Sequence, residues 1–354
     1  MAEERLPLSE EGRTLRKALE DGHQDPFHTL QGFAKTQQPD PEMVRVTLVA
    51  AMMRLMRMPG RARRKDFISS RDPPIARSLL EHMWSDVERW LPLLLGDLRA
   101  LEALCYFAVA EGLDKHMLDW VTVEDSFNIK SVGPTGWVWQ SRSWRATVLR
   151  CLCRAYGLHA ESHDLNQALQ AFFTVRDREI PGQNRKDYFR VDLSPALFGL
   201  TSLLCTGSYY RTDRCLFEEF TSTASDVLRN KHIPRRFGDA LNSARLPLYH
   251  PTSPDISSAT ELLSTKGDEL AQMATGPLAQ YALTDFLVRI AVVATANGQA
   301  KPVADVKQTY LGLFGVDMPA PERDQRIVGL SWKKSHKGDQ PSQSRDLTFK
   351  RLEL

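Results

Sequence analysis

The sequence contains little from which a reaction can be read directly. It has no His-Glu-x-x-His pair, no Gly-x-Ser-x-Gly elbow, no phosphate-binding P-loop and no Gly-x-Gly-x-x-Gly turn after a strand. These absences exclude enzyme classes whose chemistry is written in one short segment. An enzyme whose site is assembled from separate helices stays open, because such a constellation leaves no linear trace. Adjacent acids occur at Glu124-Asp125 and Glu218-Glu219, but neighbouring carboxylates alone read as a solvated face or a cap.

Cysteine is scarce: Cys105, Cys151, Cys153, Cys205 and Cys215 are an odd number, and Cys151 and Cys153 are too close in the chain for an ordinary bridge. The expectation is free thiols in a reducing compartment. No uncharged apolar run approaches the roughly 20 residues needed to span a bilayer; the best, 286–296, is broken by Arg289. The first twenty residues are polar and richer in Glu than in Lys and Arg, which reads against a secretory or mitochondrial leader. The expected location is intracellular and cytoplasmic, with nuclear or mitochondrial alternatives open, and no membrane insertion is expected. With 42% hydrophobic and 25% charged residues, collagen-like and fully disordered classes are excluded.

An excess of one charge is also missing. The chain carries 46 Lys+Arg against 44 Asp+Glu, a net of +2, which argues against polyanion binding by the whole surface. The charge is nevertheless uneven. Between positions 54 and 71, Arg54, Arg57, Arg61, Arg63, Arg64, Lys65 and Arg71 face Asp66 alone, a local +6. From 323 to 354, eight basic residues face four acidic ones, leaving −8 for the rest of the chain.

What the sequence has in abundance is the 3.6-residue helix period. Leu165, Ala168, Leu169, Phe172 and Phe173 share one helix face. So do Val49, Met52, Met53 and Met56; Leu101, Leu104, Cys105 and Ala108; and Ile75, Leu79, Leu80, Met83, Trp84 and Val87. Alternating strand patterns are few. Asp25, Asp72, Asp114, Asp164, Asp213, Asp255 and Asp305 each stand where a short helix is expected to begin, suited to cap unpaired N–H groups. Their separations are 47, 42, 50, 49, 42 and 50 residues. Longer apolar helices are expected at about 41–57, 97–111, 143–157, 195–206, 235–247 and 277–296. The pattern predicts an all-α protein of stacked helical hairpins, an irregular solenoid-like array; an irregular helical bundle with ordinary caps is the alternative. The expected organisation is a polar segment 1–24, a helical array 25–318 with a possible subdivision at the connection 121–140, and a mostly disordered basic tail 319–354.

One stretch carries a family resemblance. Thr147-Val-Leu-Arg-Cys-Leu-Cys-Arg-Ala-Tyr156, followed by Asp164-Leu-Asn-Gln-Ala-Leu-Gln-Ala-Phe-Phe173, resembles a helix pair of the tetratricopeptide/pentatricopeptide superfamily. In that superfamily the second helix carries a small Ala four residues before an aromatic, as Ala168 and Phe172 do here. The similarity spans residues 147–173, and the connection 157–163 is longer than the family's tight turn. The resemblance implies stacked helix pairs and, through the pentatricopeptide branch, RNA binding, typically in organelles.

Three groups are candidate sites. Arg54, Arg57, Arg61, Arg63, Arg64 and Lys65 can neutralise phosphates, contact a partner or act as a nuclear import signal. Alternatively they form a solvated loop after Pro59-Gly60 that offsets the acidic body. The adjoining Met52, Met53 and Met56 are read as core. Trp137 and Trp139, in a Gly/Pro-rich connection, are a candidate aromatic anchor or the residues that pin that connection to the helices. Cys151, Cys153, His159 and His163 approach metal-ligand chemistry, but Cys151 and Cys153 on a helix project about 200° apart. Gly157 is expected to end that helix before the histidines, so neither metal nor cofactor is expected. The functional expectation is a non-enzymatic scaffold with a protein partner. RNA binding and an inter-helix enzyme site are the alternatives.

Overall fold

The computed structural model describes residues 7–86, 89–90, 97–122, 137–179, 191–229, 237–273 and 277–318. Side chains are described for all of these except 137–143, 179, 227–229, 237–240, 268, 271, 273 and 277–279. The expected tail 319–354 lies outside the described residues. Among the described residues the fold is all-α: fifteen α-helices, no strand, and adjacent helices packed in pairs. The chain forms two compact units, residues 1–161 with 167–199 and residues 162–166 with 200–354. Most of the connection 121–140 lies outside the described residues.

The first unit holds α1 (Glu10–Glu20), α2 (Pro26–Lys35), α3 (Pro41–Met56), α4 (Arg61–Ser69), α5 (Ile75–Ser85), α6 (Leu98–Ala110), α7 (Asp114–Thr122) and α8 (Trp137–His159). Next come α9 (Asn166–Glu179) and α10 (Ser194–Leu204). The second unit continues with α11 (Arg214–Arg229), α12 (Phe237–Arg245), a 3₁₀ turn (Leu246–Tyr249), α13 (Ser257–Met273), α14 (Pro277–Ala296) and α15 (Ala300–Phe314).

Capping explains many of these starts. The Asp25 carboxylate accepts the Phe27 and His28 N–H groups; Asp164 accepts Asn166, Asp213 accepts Leu216 and Asp255 accepts Ser257. Asp114 is the first residue of α7. Two expected caps are corrected. Asp72 does not cap α5; its first N–H groups, at Ala76 and Arg77, go to the Glu111 carboxylate at 2.9 and 3.1 Å. Asp305 lies inside α15, which starts five residues earlier at Ala300. Within the polar N-terminal stretch, α1 packs on α3. The Ser9 N–H and hydroxyl donate to Glu42 Oε1 at 2.9 and 2.7 Å. A Cβ at Gly12 would sit 2.1 Å from that oxygen, so a larger residue there would displace the Glu42 carboxylate.

The α6 helix is the hub of the first unit, packed against α3, α4, α5, α7 and α8. Its Leu101, Leu104, Cys105 and Ala108 are buried as the period predicts, and so are Ala103, Tyr106 and Phe107. A helix surrounded by neighbours must be apolar on every side. In α3, Met52 is core but Met53 is 41% exposed, correcting the shared-face reading of the methionines. In α9, Leu165's neighbours Ala168, Leu169, Phe172 and Phe173 are all buried, and the Cys153 thiol sits 3.6 Å from the Ala168 carbonyl. The second unit has its own core, in which Leu283, Phe286, Leu287, Ile290 and Ala294 of α14 meet Leu248, Ile256, Ala259, Val306 and Tyr310.

Candidate functional site

The basic segment is not a loop. After Gly60, whose φ of 82° places it in the left-handed region, Arg61 to Ser69 form α4. Cations in a first turn oppose the helix's own macrodipole. For Arg61 the partner is another helix terminus: α4 packs on α8, and Arg61 Nη1 donates to the Ala160 carbonyl just beyond the α8 C-terminus. There the dipole is negative and cations are favoured. Arg64 is buried at 2% exposure, with Nη1 3.7 Å from Met56 Sδ. Arg54 pairs with Asp25 at 2.7 Å. Burial tends to raise the Asp25 pKa, but the His28 and Phe27 N–H groups and the Arg54 charge outweigh it and lower it. Arg71 lies 4.0 Å from the Phe67 ring centroid and 5.5 Å from that of Phe27. Arg57, Arg63 and Lys65 are exposed. Arg63 and Lys65, two apart on a helix, diverge by about 200°, so they do not form one patch.

The Cys/His group separates as well. Helix α8 continues through Gly157 to His159 rather than stopping before it. His159 Nε2 is 2.9 Å from the Tyr106 carbonyl and its ring stacks on Tyr106 with centroids 3.9 Å apart. His163 belongs to the second unit, 3.3 Å from the Ser208 carbonyl and stacked on Tyr210. Burial pushes the Cys151 and Cys153 thiols well up. Among the described residues no group of three or more His, Cys, Asp or Glu is placed to hold a metal.

Burial, reinforced by Lys65, Arg64 and Arg61 and opposed by the Tyr106 carbonyl, depresses the His159 pKa to about 4. An imidazole with an ordinary pKa near 6.5 when unfolded then binds fewer protons folded than unfolded, so stability rises with pH between about 4 and 6.5. Urea unfolding is expected to show about 2 kcal/mol less stability at pH 4.5 than at pH 7 from this group alone. His159→Phe should flatten that part of the profile, and an unchanged profile would refute the assignment.

Trp137 and Trp139, expected in a connection, occupy the first turn of α8; their side chains lie outside the described residues. The exposed tryptophan among the described residues is Trp84, at 48%, on the last turn of α5. Its ring centroid is 5.8 Å from that of Trp120, which is 5.5 Å from that of Trp144, and both of these are buried. Arg145 lies over Trp144 at 5.3 Å. The sequence stripe placed Trp84 in the core; it stands at the stripe's edge, one residue beyond buried Met83.

A polar cluster that sequence reasoning missed lies in the second unit, formed by Arg245, Tyr249, Asp285 and Arg289 beside the buried Cys205. Its one linear signal was Arg289 interrupting an apolar helix. Burial pushes the Cys205 thiol up to about 11 and raises the Tyr249 phenol, keeping both protonated near neutrality.

Comparison of the chain with family models, with curated proteins and with solved structures finds no match in any of the three. No helix among the described residues is long and apolar enough to cross a membrane.

Proposed function

We propose that the chain is a non-catalytic interaction scaffold whose first unit binds a protein partner at the edge marked by Trp84. The observation that carries this reading is the half-exposed indole of Trp84 backed by the buried rings of Trp120 and Trp144. Large aromatic residues dominate binding hot spots. A ring already held by its neighbours loses little freedom on binding, so more of its contact energy appears as affinity. Paired helices, like those of the tetratricopeptide-type hairpin that residues 147–173 resemble, offer such edges without any catalytic motif. Free thiols, four of them buried, suit a reducing compartment, the cytoplasm first.

The test is affinity purification from native lysate with the wild-type chain and Trp84→Ala, each with and without nuclease and across a salt series. The expected result is a reproducible, nuclease-resistant protein partner depleted about tenfold by the substitution, the loss of one hot-spot contact. Absence of a reproducible partner would overturn the proposal. So would recovery that disappears with nuclease and falls steeply with salt, the signature of phosphate contacts through Arg57, Arg63 and Lys65.

A further inference from the structure

In the second unit two buried guanidiniums, Arg245 and Arg289, lie near one carboxylate, Asp285, which pairs with Arg245. Arg245 Nη2 lies 2.7 Å from Asp285 Oδ2, and the Tyr249 hydroxyl is 3.5 Å from the same oxygen. Arg289, one helical turn beyond Asp285, spends Nε and Nη2 on a single acceptor, the Leu248 carbonyl, at 3.2 and 3.1 Å. Its Cζ sits 4.4 Å from the Tyr249 ring centroid. Arg289 Nη1 and Arg245 Nε are buried without a hydrogen-bond partner.

Two features of this cluster call for a ligand. Buried N–H groups are nearly always bonded, and here two guanidinium nitrogens are not. A buried cation also needs a counter-charge; Arg245 pairs with Asp285, whereas among the described residues Arg289 forms no ion pair. Neighbouring His250 is engaged with Glu218 at 3.3 Å. Among the described residues the cluster therefore holds two positive charges, Arg245 and Arg289, against the one negative charge of Asp285. Three elements converge on it: the end of α12, the 3₁₀ turn and α14. Arg289 is the deeper residue at 7% exposure, whereas the Arg245 and Asp285 side chains are each 13% exposed and form the rim.

We propose that this cluster binds a small oxyanion, a phosphate or carboxylate group, which enters past Arg245 and Asp285 and takes the free N–H groups of Arg289 Nη1 and Arg245 Nε. The planar guanidinium fork matches oxyanion geometry, and one bound anion would neutralise the surplus charge. The inference is independent of the Trp84 reading, which concerns the other unit.

The experiment is thermal unfolding of the full chain at constant pH and ionic strength, titrated with sodium phosphate in one arm and sodium acetate in the other, against chloride. The expected result is a saturable rise of about 3 °C at ten times the half-saturating concentration in at least one arm. The responding arm identifies the group. Arg289→Met and Arg245→Met should abolish the rise or move half-saturation at least tenfold, while Arg57→Ala/Arg63→Ala/Lys65→Ala should retain it. If Arg289→Met does not fold, the rim variant Arg245→Met and the triple variant decide. The proposal is overturned by no saturable rise in either arm, by a rise that Arg245→Met leaves unchanged, or by one that the triple variant removes.

Discussion

Asp285→Ala is expected to lower the unfolding free energy by about 3–5 kcal/mol, measured by urea unfolding at pH 7. The size follows from what the substitution leaves behind. Arg245 loses its 2.7 Å partner, and Arg289 loses the nearby negative charge while remaining buried. Breaking a buried pair from one side is far more damaging than replacing both partners, because the remaining charge stays largely desolvated and loses its paired carboxylate. Burial already draws the Arg289 pKa below the usual arginine value. Adding Arg245→Met to Asp285→Ala should therefore recover part of the loss, a less-than-additive result that a double-mutant cycle reads directly. A loss under about 1 kcal/mol for Asp285→Ala, the range of a surface pair, would show the cluster to be solvated.

Phe107→Ala is expected to cost a similar amount, about 3–5 kcal/mol, for a different reason. Phe107 is fully buried on α6, the helix that α3, α4, α5, α7 and α8 all touch, and its ring centroid is 6.5 Å from that of Phe27. Removing the ring leaves a cavity that helices constrained on several sides cannot collapse to fill. Urea unfolding gives the magnitude, and hydrogen exchange should place the loss of protection in α3, α6 and α8. Normal protection there, with a loss below about 1 kcal/mol, would contradict the central role assigned to α6.

How much of this was legible in the sequence depended on how local the physics was. The helix content, most long-helix positions and the caps at Asp25, Asp164, Asp213 and Asp255 follow from periodicity and from carboxylates reaching N–H groups two or three residues away. Where the partner is distant, the local rule misleads. The start of α5 is capped by Glu111, 35 residues beyond Ala76, and so Asp72 looked like the cap. The arginines after Pro59-Gly60 can be read locally as a solvated loop, but they form α4, and Arg61 reaches the distant Ala160 carbonyl beyond the α8 C-terminus. Of the six basic candidates, Arg54, Arg61 and Arg64 are held in internal contacts, leaving Arg57, Arg63 and Lys65 outward. The Arg245–Asp285 pair spans 40 residues of sequence and left no linear trace beyond Arg289 in its apolar helix. Trp84 was hidden by a periodicity that cannot distinguish the edge of a buried stripe from its centre.

The central claim, that the Trp84 edge receives a protein, is tested most directly by placing a photo-reactive group there. A chain carrying Trp84→p-benzoylphenylalanine, irradiated in native lysate, should cross-link reproducibly to one partner polypeptide. The same probe replacing exposed Glu20 on α1 should not capture that partner. Cross-links confined to the chain itself, or found only to nucleic acid, would contradict the account.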